Sequence, residues 1–407
     1  MSMQCDDSEL LPAPPSLTEL PIEVILHILQ YLNVRFITEV LAEVSTLFRD
    51  IAADDSTWRI RIHRRWRGQY PALPPPSTFN WTQACIAREE ETKAWTSVPM
   101  VHYTNSTSHY ASVDTIHITD DVIVSGSRDR GIHLWPLYPG KEEEGTLRPV
   151  AKLPDAHQGW VWSLSSTPHN DLVSGAWDSK IKFWKVSPTG LKETRSDVRL
   201  KTAVLTTDIH ENRVVAGTFD KKVVQMDLRE PASKMTYFMS HKKPVLKVKV
   251  TETHILSLAE DSVLSVHDRR AGRRLKKVEI PSPPPEFGFP ANSFPLSMDL
   301  LDNMLYIGDS SAYLYLLDST HNSYDIVQRY KTGHTGRLSS VVCNLGSTIT
   351  ASTDGTVKIF TPTRTPRLIS TLQSGERGQI TSLAYRHGVM AAAASNNTVN
   401  IYTPASS

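Results

Sequence analysis

The sequence predicts a mainly β protein: a seven-bladed propeller of four-stranded sheets, preceded by a small all-helical unit and a helical connector. Three observations predict it. An eleven-residue pattern, SGSRDRGIHLW ending at Trp135, returns in units ending at Trp184, Met226, His267, Leu317, Phe360 and Tyr402. Four histidines, His109, His157, His241 and His334, precede the ends of their own units by 26 or 27 residues. Ahead of these units, the apolar residues of positions 16–65 follow a helical rather than an alternating period.

Residues 1–15, MSMQCDDSELLPAPP, are acidic and then Pro-rich, and are expected to be disordered. They contain no basic stretch followed by an apolar one, so they do not read as a secretion signal. The helical unit follows at 16–65. Ile22, Ile25, Leu26, Ile28, Leu29 and Leu32 form the stripe of a first helix, with Pro21 suited to its first turn. Phe36, Ile37, Val40, Leu41 and Val44 mark a second, with Asn33 as its cap, and Leu47, Phe48 and Ile51 a third that begins near Ser45. Three short helices make a core too small to stand alone, and a partner is expected to cover the remaining apolar surface. Residues 66–95 read as a stiff connector, a Pro run followed by a helix with Trp81, Cys85 and Ile86 on one side.

From 96 to 407 the repeat takes over. Six residues before each unit's end stand Asp129, Asp178, Asp220, Asp261, Ser311, Asp354 and Asn396, all turn formers between two alternating apolar runs. A hairpin of this kind cannot bury its faces alone, so successive sheets must stack, and radial stacking makes a propeller. After Tyr402 only TPASS remains, so the last blade lacks an outer strand; SVPMVHY at about 97–103 is the natural donor. The Pro-rich segment at 281–290 is expected to be a surface loop.

This pattern resembles the WD-repeat family. The resemblance implies a hydrogen-bonded tetrad in each blade, complete for His109, Ser125, Asp129 and Trp135 and for His157, Ser174, Asp178 and Trp184. It is partial where His267 or Phe360 replaces the Trp. The helical unit resembles the F-box, through Leu20, Pro21, Glu23 and the closing Trp58, although Ser45 and Phe48 stand where that family has Cys and Trp. Together the two features place the chain with the F-box/WD-repeat family. That implies a non-catalytic substrate-recognition subunit of a ubiquitin ligase: the F-box would dock a Skp adaptor, and through it a cullin, while the propeller binds an unidentified protein substrate. Leu20, Pro21, Ile25, Ile28, Leu29 and Leu32 are the candidates for the adaptor-facing surface. The alternative is a WD-repeat scaffold outside the ubiquitin system.

Composition narrows the remaining possibilities. A net charge of +1 gives no electrostatic argument for nucleic acid or a membrane surface as partner, neither is expected, and the basic runs at 59–67 and 269–277 read as solvated faces. The cysteines, Cys5, Cys85 and Cys343, are too far apart for a disulfide framework or a Cys-x-x-Cys metal site, which points to the cytoplasm or nucleus. No nucleophile elbow, phosphate-cradling loop or metal spacing occurs, and no cofactor is expected. Propellers bind through loops at one end of the ring. The residue before each turn position, and the one three beyond each in-phase histidine, should approach that end. This singles out Arg128, Trp160, Trp177, Phe219 and Arg337 as substrate-binding candidates, a patch with aromatic anchors but too few arginines for a multiply phosphorylated ligand.

Overall fold

The computed structural model of the chain describes residues 17–96, 100–139, 147–231, 234–283, 292–373, 378–386 and 388–404. The N-terminal 1–15, the first residues of the expected closing strand (97–99) and most of the Pro-rich 281–290 segment lie outside them.

The protein is a seven-bladed β-propeller, with seven four-stranded antiparallel sheets. The seven innermost strands are Val113–Ile118, Val161–Ser166, Val204–His210, Val245–Val250, Pro295–Leu301, Leu338–Cys343 and Ile380–Arg386. Each contacts the next, and the last contacts the first, so the ring is closed. A strand from the start of the propeller completes its last blade: Met100–Asn105 pairs antiparallel with Val399–Pro404 and supplies the outer edge of the seventh blade. All seven turn positions named from the sequence are followed by a residue in the left-handed region: Arg130, Ser179, Lys221, Ser262, Ala312, Gly355 and Asn397.

Blades approach one another closely. A Cβ on Gly175 would lie 2.6 Å from Val204 Cγ1 and 2.8 Å from Thr207 Cγ2 of the next blade, and Gly126 and Gly217 meet Val161 and Val245 in the same way. Every blade also has a register shift between its innermost strand and the next, at the same place. One residue is therefore extra in each: Asp114, Trp162, Leu205, Leu246, Leu296, Ser339 and Thr381.

The helical unit has α1 (Ile22–Leu29), a π-helical turn Phe36–Leu41 running into α2 (Ala42–Val44), α3 (Thr46–Ala53) and α4 (Asp55–Arg65). Ser45 caps α3 by accepting from the Phe48 amide. Asp54 caps α4, accepting from Ser56, and so opens a fourth helix beyond the three that the apolar period marks. The connector helix α5 (Trp81–Thr96) is not a spacer beside this unit. Its Ala84, Cys85 and Ile86 share one core with Ile25, Leu29, Phe48, Trp58 and Ile62.

Two neighbouring glutamates on α5 join the parts. Glu89 Oε1 accepts from Arg61 Nε (3.1 Å) and Arg65 Nη1 (2.6 Å), and Oε2 from the Val34 amide (3.0 Å). Glu91 accepts from Ser347 Oγ (3.0 Å), Trp95 Nε1 and the Tyr385 hydroxyl, reaching the sixth and seventh blades. The basic run at 59–67 is thus not simply a solvated face, because Arg61 is buried against Glu89.

Candidate functional site

Seven equivalent backbone bonds define one end of the ring. Arg128, Trp177, Phe219, Glu260, Ser310, Thr353 and Ser395 each donate an amide to the carbonyl of Ser112, Trp160, Ala203, Pro244, Phe294, Arg337 and Gln379 respectively. The acceptors stand at or just before the start of the innermost strands, so both sets share a rim. The helical unit is at the other end. Its connector makes the contacts, to turns that follow the innermost strands or join outer ones: Glu91 to Ser347, Tyr70 hydroxyl to Leu345 carbonyl (2.8 Å), Pro74 carbonyl to Asn303 and Gln69 carbonyl to the Arg364 amide.

On the rim, the first three blades bring an aromatic cluster together. Trp160 and Trp177 ring centroids are 5.8 Å apart, Trp162 and Trp177 5.8 Å, and Trp177 meets Phe219 edge-on at 5.6 Å. The Arg128 guanidinium sits over Trp160 at 4.9 Å and over Trp162 at 5.4 Å. It is fixed there by a two-point pair with Asp114, at 2.8 and 3.2 Å. Burial raises the Asp114 carboxyl above its ordinary value against the opposing pull of Arg128. Despite this packing, Trp160, Trp177 and Phe219 remain 41%, 42% and 49% exposed. Arg337 is not part of the cluster; it lies on the sixth blade with its guanidinium over Phe294 at 5.9 Å.

The in-phase histidines point inward. His109 Nδ1 bonds Asp129 at 2.7 Å and Nε2 bonds Ser125 at 2.8 Å, while Trp135 Nε1 donates to the same Ser125 hydroxyl at 2.7 Å. His157, Asp178, Ser174 and Trp184 repeat the arrangement in the second blade. In the fourth and sixth, His241 and His334 hold their Asp and their Ser or Thr without a Trp. Burial would raise the Asp129 carboxyl, but the His109 bond and charge and the amides of Gly131 and Tyr110 hold it at about 2. Burial pushes the Cys85 thiol up to about 12 and that of Cys343 well above its ordinary range, so neither is poised as a nucleophile. Among the described residues, no group of three His, Cys, Asp or Glu side chains is placed to hold a metal ion.

The adaptor-facing candidates divide. Pro21 is exposed, and Leu20, Ile28 and Leu32 are half-buried. Ile25 and Leu29 must be withdrawn: at 2% and 4% exposure they lie inside the helical core, because their side of α1 packs on α3, α4 and α5. The exposed apolar side chains instead include Ile22, Val24, Phe36, Val40 and Val44, the last three at four-residue spacing, with Leu17, Tyr31 and Ile60 exposed as well. Beside them, a groove of ≈370 Å³ opens between α1, α3 and α4, with Ile22, Leu26, Leu47, Ile51 and Ile60 in its wall.

A family model described as F-box-like matches residues 17–65, and one described as WD domain, G-beta repeat matches 147–185 and 326–361. Human F-box/WD repeat-containing protein 9 is 32% identical over 364 residues, covering 88% of this chain and 76% of its own length. The chain belongs to the F-box/WD-repeat family. F-box/WD repeat-containing protein mec-15 of Caenorhabditis elegans is 26% identical over 80% of each chain. Among solved structures, the WD40 β-propeller domain of Doa1 superimposes with a TM-score of 0.60 over 75% of this chain and 97% of its own, at 17% identity, a likeness of fold alone.

Within this F-box/WD-repeat chain, the rim residues that sequence reading missed are Trp162, Asp114 and Phe294. Trp162 and Asp114 are the extra residues of the bulged pairs, and that shift turns them towards the rim. Phe294 was open to discovery: it is the fifth blade's counterpart of Trp160, hidden because that unit has no in-phase histidine.

Proposed function

We propose that the protein is the substrate-recognition subunit of a Skp–cullin–F-box ubiquitin ligase, with no catalytic step of its own. The F-box docks the Skp adaptor, which links it to the cullin. The opposite rim of the propeller holds the protein to be ubiquitinated. The observation that carries this reading is the pairing of two uncovered apolar surfaces at opposite ends of one chain: Ile22, Val24, Phe36, Val40 and Val44 on the F-box, and Trp160, Trp177 and Phe219 on the rim. Exposed apolar residues clustered in this way mark interaction sites. The helix α5, tied to both parts through Glu89 and Glu91, would keep the two partners at a constant separation.

Co-purification tests it. Val40→Glu with Val44→Glu should remove the adaptor from a pull-down of the full chain and leave the propeller's melting unchanged; Leu20→Ala with Pro21→Ala should weaken it. Adaptor recovered in full with Val40→Glu/Val44→Glu would refute the docking face. Absence of adaptor and cullin from the unmodified chain's pull-down would refute the ligase reading.

A further inference from the structure

We infer that the rim takes a linear acidic peptide segment carrying one large apolar anchor residue. This rests on the reading of that end as the substrate site and names the class of ligand. The anchor has a place: Trp160, Trp177 and Phe219 form a continuous, half-exposed aromatic surface across the second and third blades. A basic anchor is disfavoured, because Arg128 already covers the Trp160 and Trp162 rings and is held there by Asp114.

Beyond Phe219 the rim becomes cationic. Lys221 stands in the same turn as Phe219, and Lys201 two residues before Ala203, whose carbonyl accepts the Phe219 amide. Lys242 stands two residues before Pro244, the rim residue of the fourth blade. All three lysines are exposed, and among the described residues none has a carboxylate within the 4.0 Å of an ion pair. The carboxylates of this arc are already engaged. Asp178 binds His157, Asp220 binds Lys222 and Thr218, Asp261 binds His241, and Glu260 lies 3.7 Å from Lys243. The uncompensated charge is therefore positive and spread along the rim, which complements several carboxylates spaced along a chain.

Of the arginines near this arc only Arg199, exposed at the end of the second blade's outer strand, is without an ion pair among the described residues, and one arginine is too few for a multiply phosphorylated ligand. Arg128 is paired with Asp114, Arg130 with Asp155, and Arg337 is on the sixth blade. Single-stranded nucleic acid, which stacks bases on open aromatic faces, finds one pair of faces under Arg128 and the Trp177–Phe219 pair edge-on at 63°.

Panning a display library of random twelve-residue peptides on the full chain tests the inference, with a fluorescent twenty-nucleotide oligouridine titrated alongside. Enriched sequences should carry net negative charge and one Trp, Phe, Leu or Ile. Trp177→Ala with Phe219→Ala should lose them. Lys201→Glu with Lys221→Glu and Lys242→Glu should weaken a purified acidic peptide by about tenfold or more and shift enrichment towards basic sequences; melting curves check that each variant is folded. Neutral or basic sequences that depend on the aromatic residues but not on the lysines would overturn the acidic class and leave the rim as a substrate site. No enrichment, or enrichment indifferent to the aromatic pair, would overturn both. Oligouridine bound as tightly as the best peptide would overturn the peptide assignment.

Discussion

Replacing Glu89 should loosen the F-box without touching the propeller. Glu89 and Arg61 are 6% and 5% exposed at their side chains, so the pair is out of water. In Glu89→Ala, Arg61 keeps only the Leu29 and Leu32 carbonyls, Arg65 loses its partner, and the Val34 amide is left without an acceptor. Removing one member of a buried pair costs about 3–5 kcal/mol, because the other charge stays buried. Against a total stability of about 5–15 kcal/mol, such a loss would unfold a substantial share of a unit this small. Arg61→Met combined with Glu89→Met removes both charges and should recover most of the loss, since an apolar replacement of a buried pair is often nearly neutral. Native-state hydrogen exchange gives the local readout: amides of α1, α3, α4 and α5 should exchange faster in Glu89→Ala by the factor that 3–5 kcal/mol implies, while central strands of the second and third blades stay as they were. A cost under about 1 kcal/mol, the range of an exposed pair, or equal acceleration in those blades, would refute the reasoning.

Two further outcomes follow from the blades. Gly175→Ala forces a methyl to within 2.6 Å of Val204 and 2.8 Å of Thr207, and should cost about 1–3 kcal/mol by overpacking, read as a lower denaturant midpoint at unchanged slope. Acid should destabilise the propeller in two stages, followed as melting temperature against pH. His133 is pushed down by burial and by neighbouring His109 to about 3, and His267 by burial, Arg274 and His241 to about 4, so from about 6.5 downward the unfolded chain takes up protons that the folded one refuses. Below about 4 the tetrad carboxylates add to this, since Asp129 is held at about 2 and Asp178 and Asp261 are lowered after burial is outweighed by their histidines; the stability they contribute at neutral pH is lost as pH falls through that window. A melting temperature that stays level between pH 7 and 4 would contradict the first stage.

The blades were legible because their information is local. A turn position must be followed by a left-handed residue, and at Asp129, Asp178 and Asp220, as at the other four, it is. The aromatic cluster was legible for the same reason, since Trp177 and Phe219 hold the same place in successive turns. What escaped is long-range. Nothing near Trp162 announces the bulge that turns it towards the rim, because that shift is relative to a strand ten or more residues later. The partnership of Glu89 with Arg61 spans 28 residues, and only with α5 in place is Ile25 enclosed rather than offered to a partner. An amphipathic period identifies an apolar face; it does not say whether the cover comes from the same chain.

The strand that closes the ring also sets a schedule. Met100–Asn105 leaves the ribosome about 300 residues ahead of its partner, Val399–Pro404. At about 5–20 residues per second, roughly 15–60 seconds separate them. During that interval the nascent chain exposes an unpaired strand behind its F-box helices, and the ring stays open until the partner strand is made.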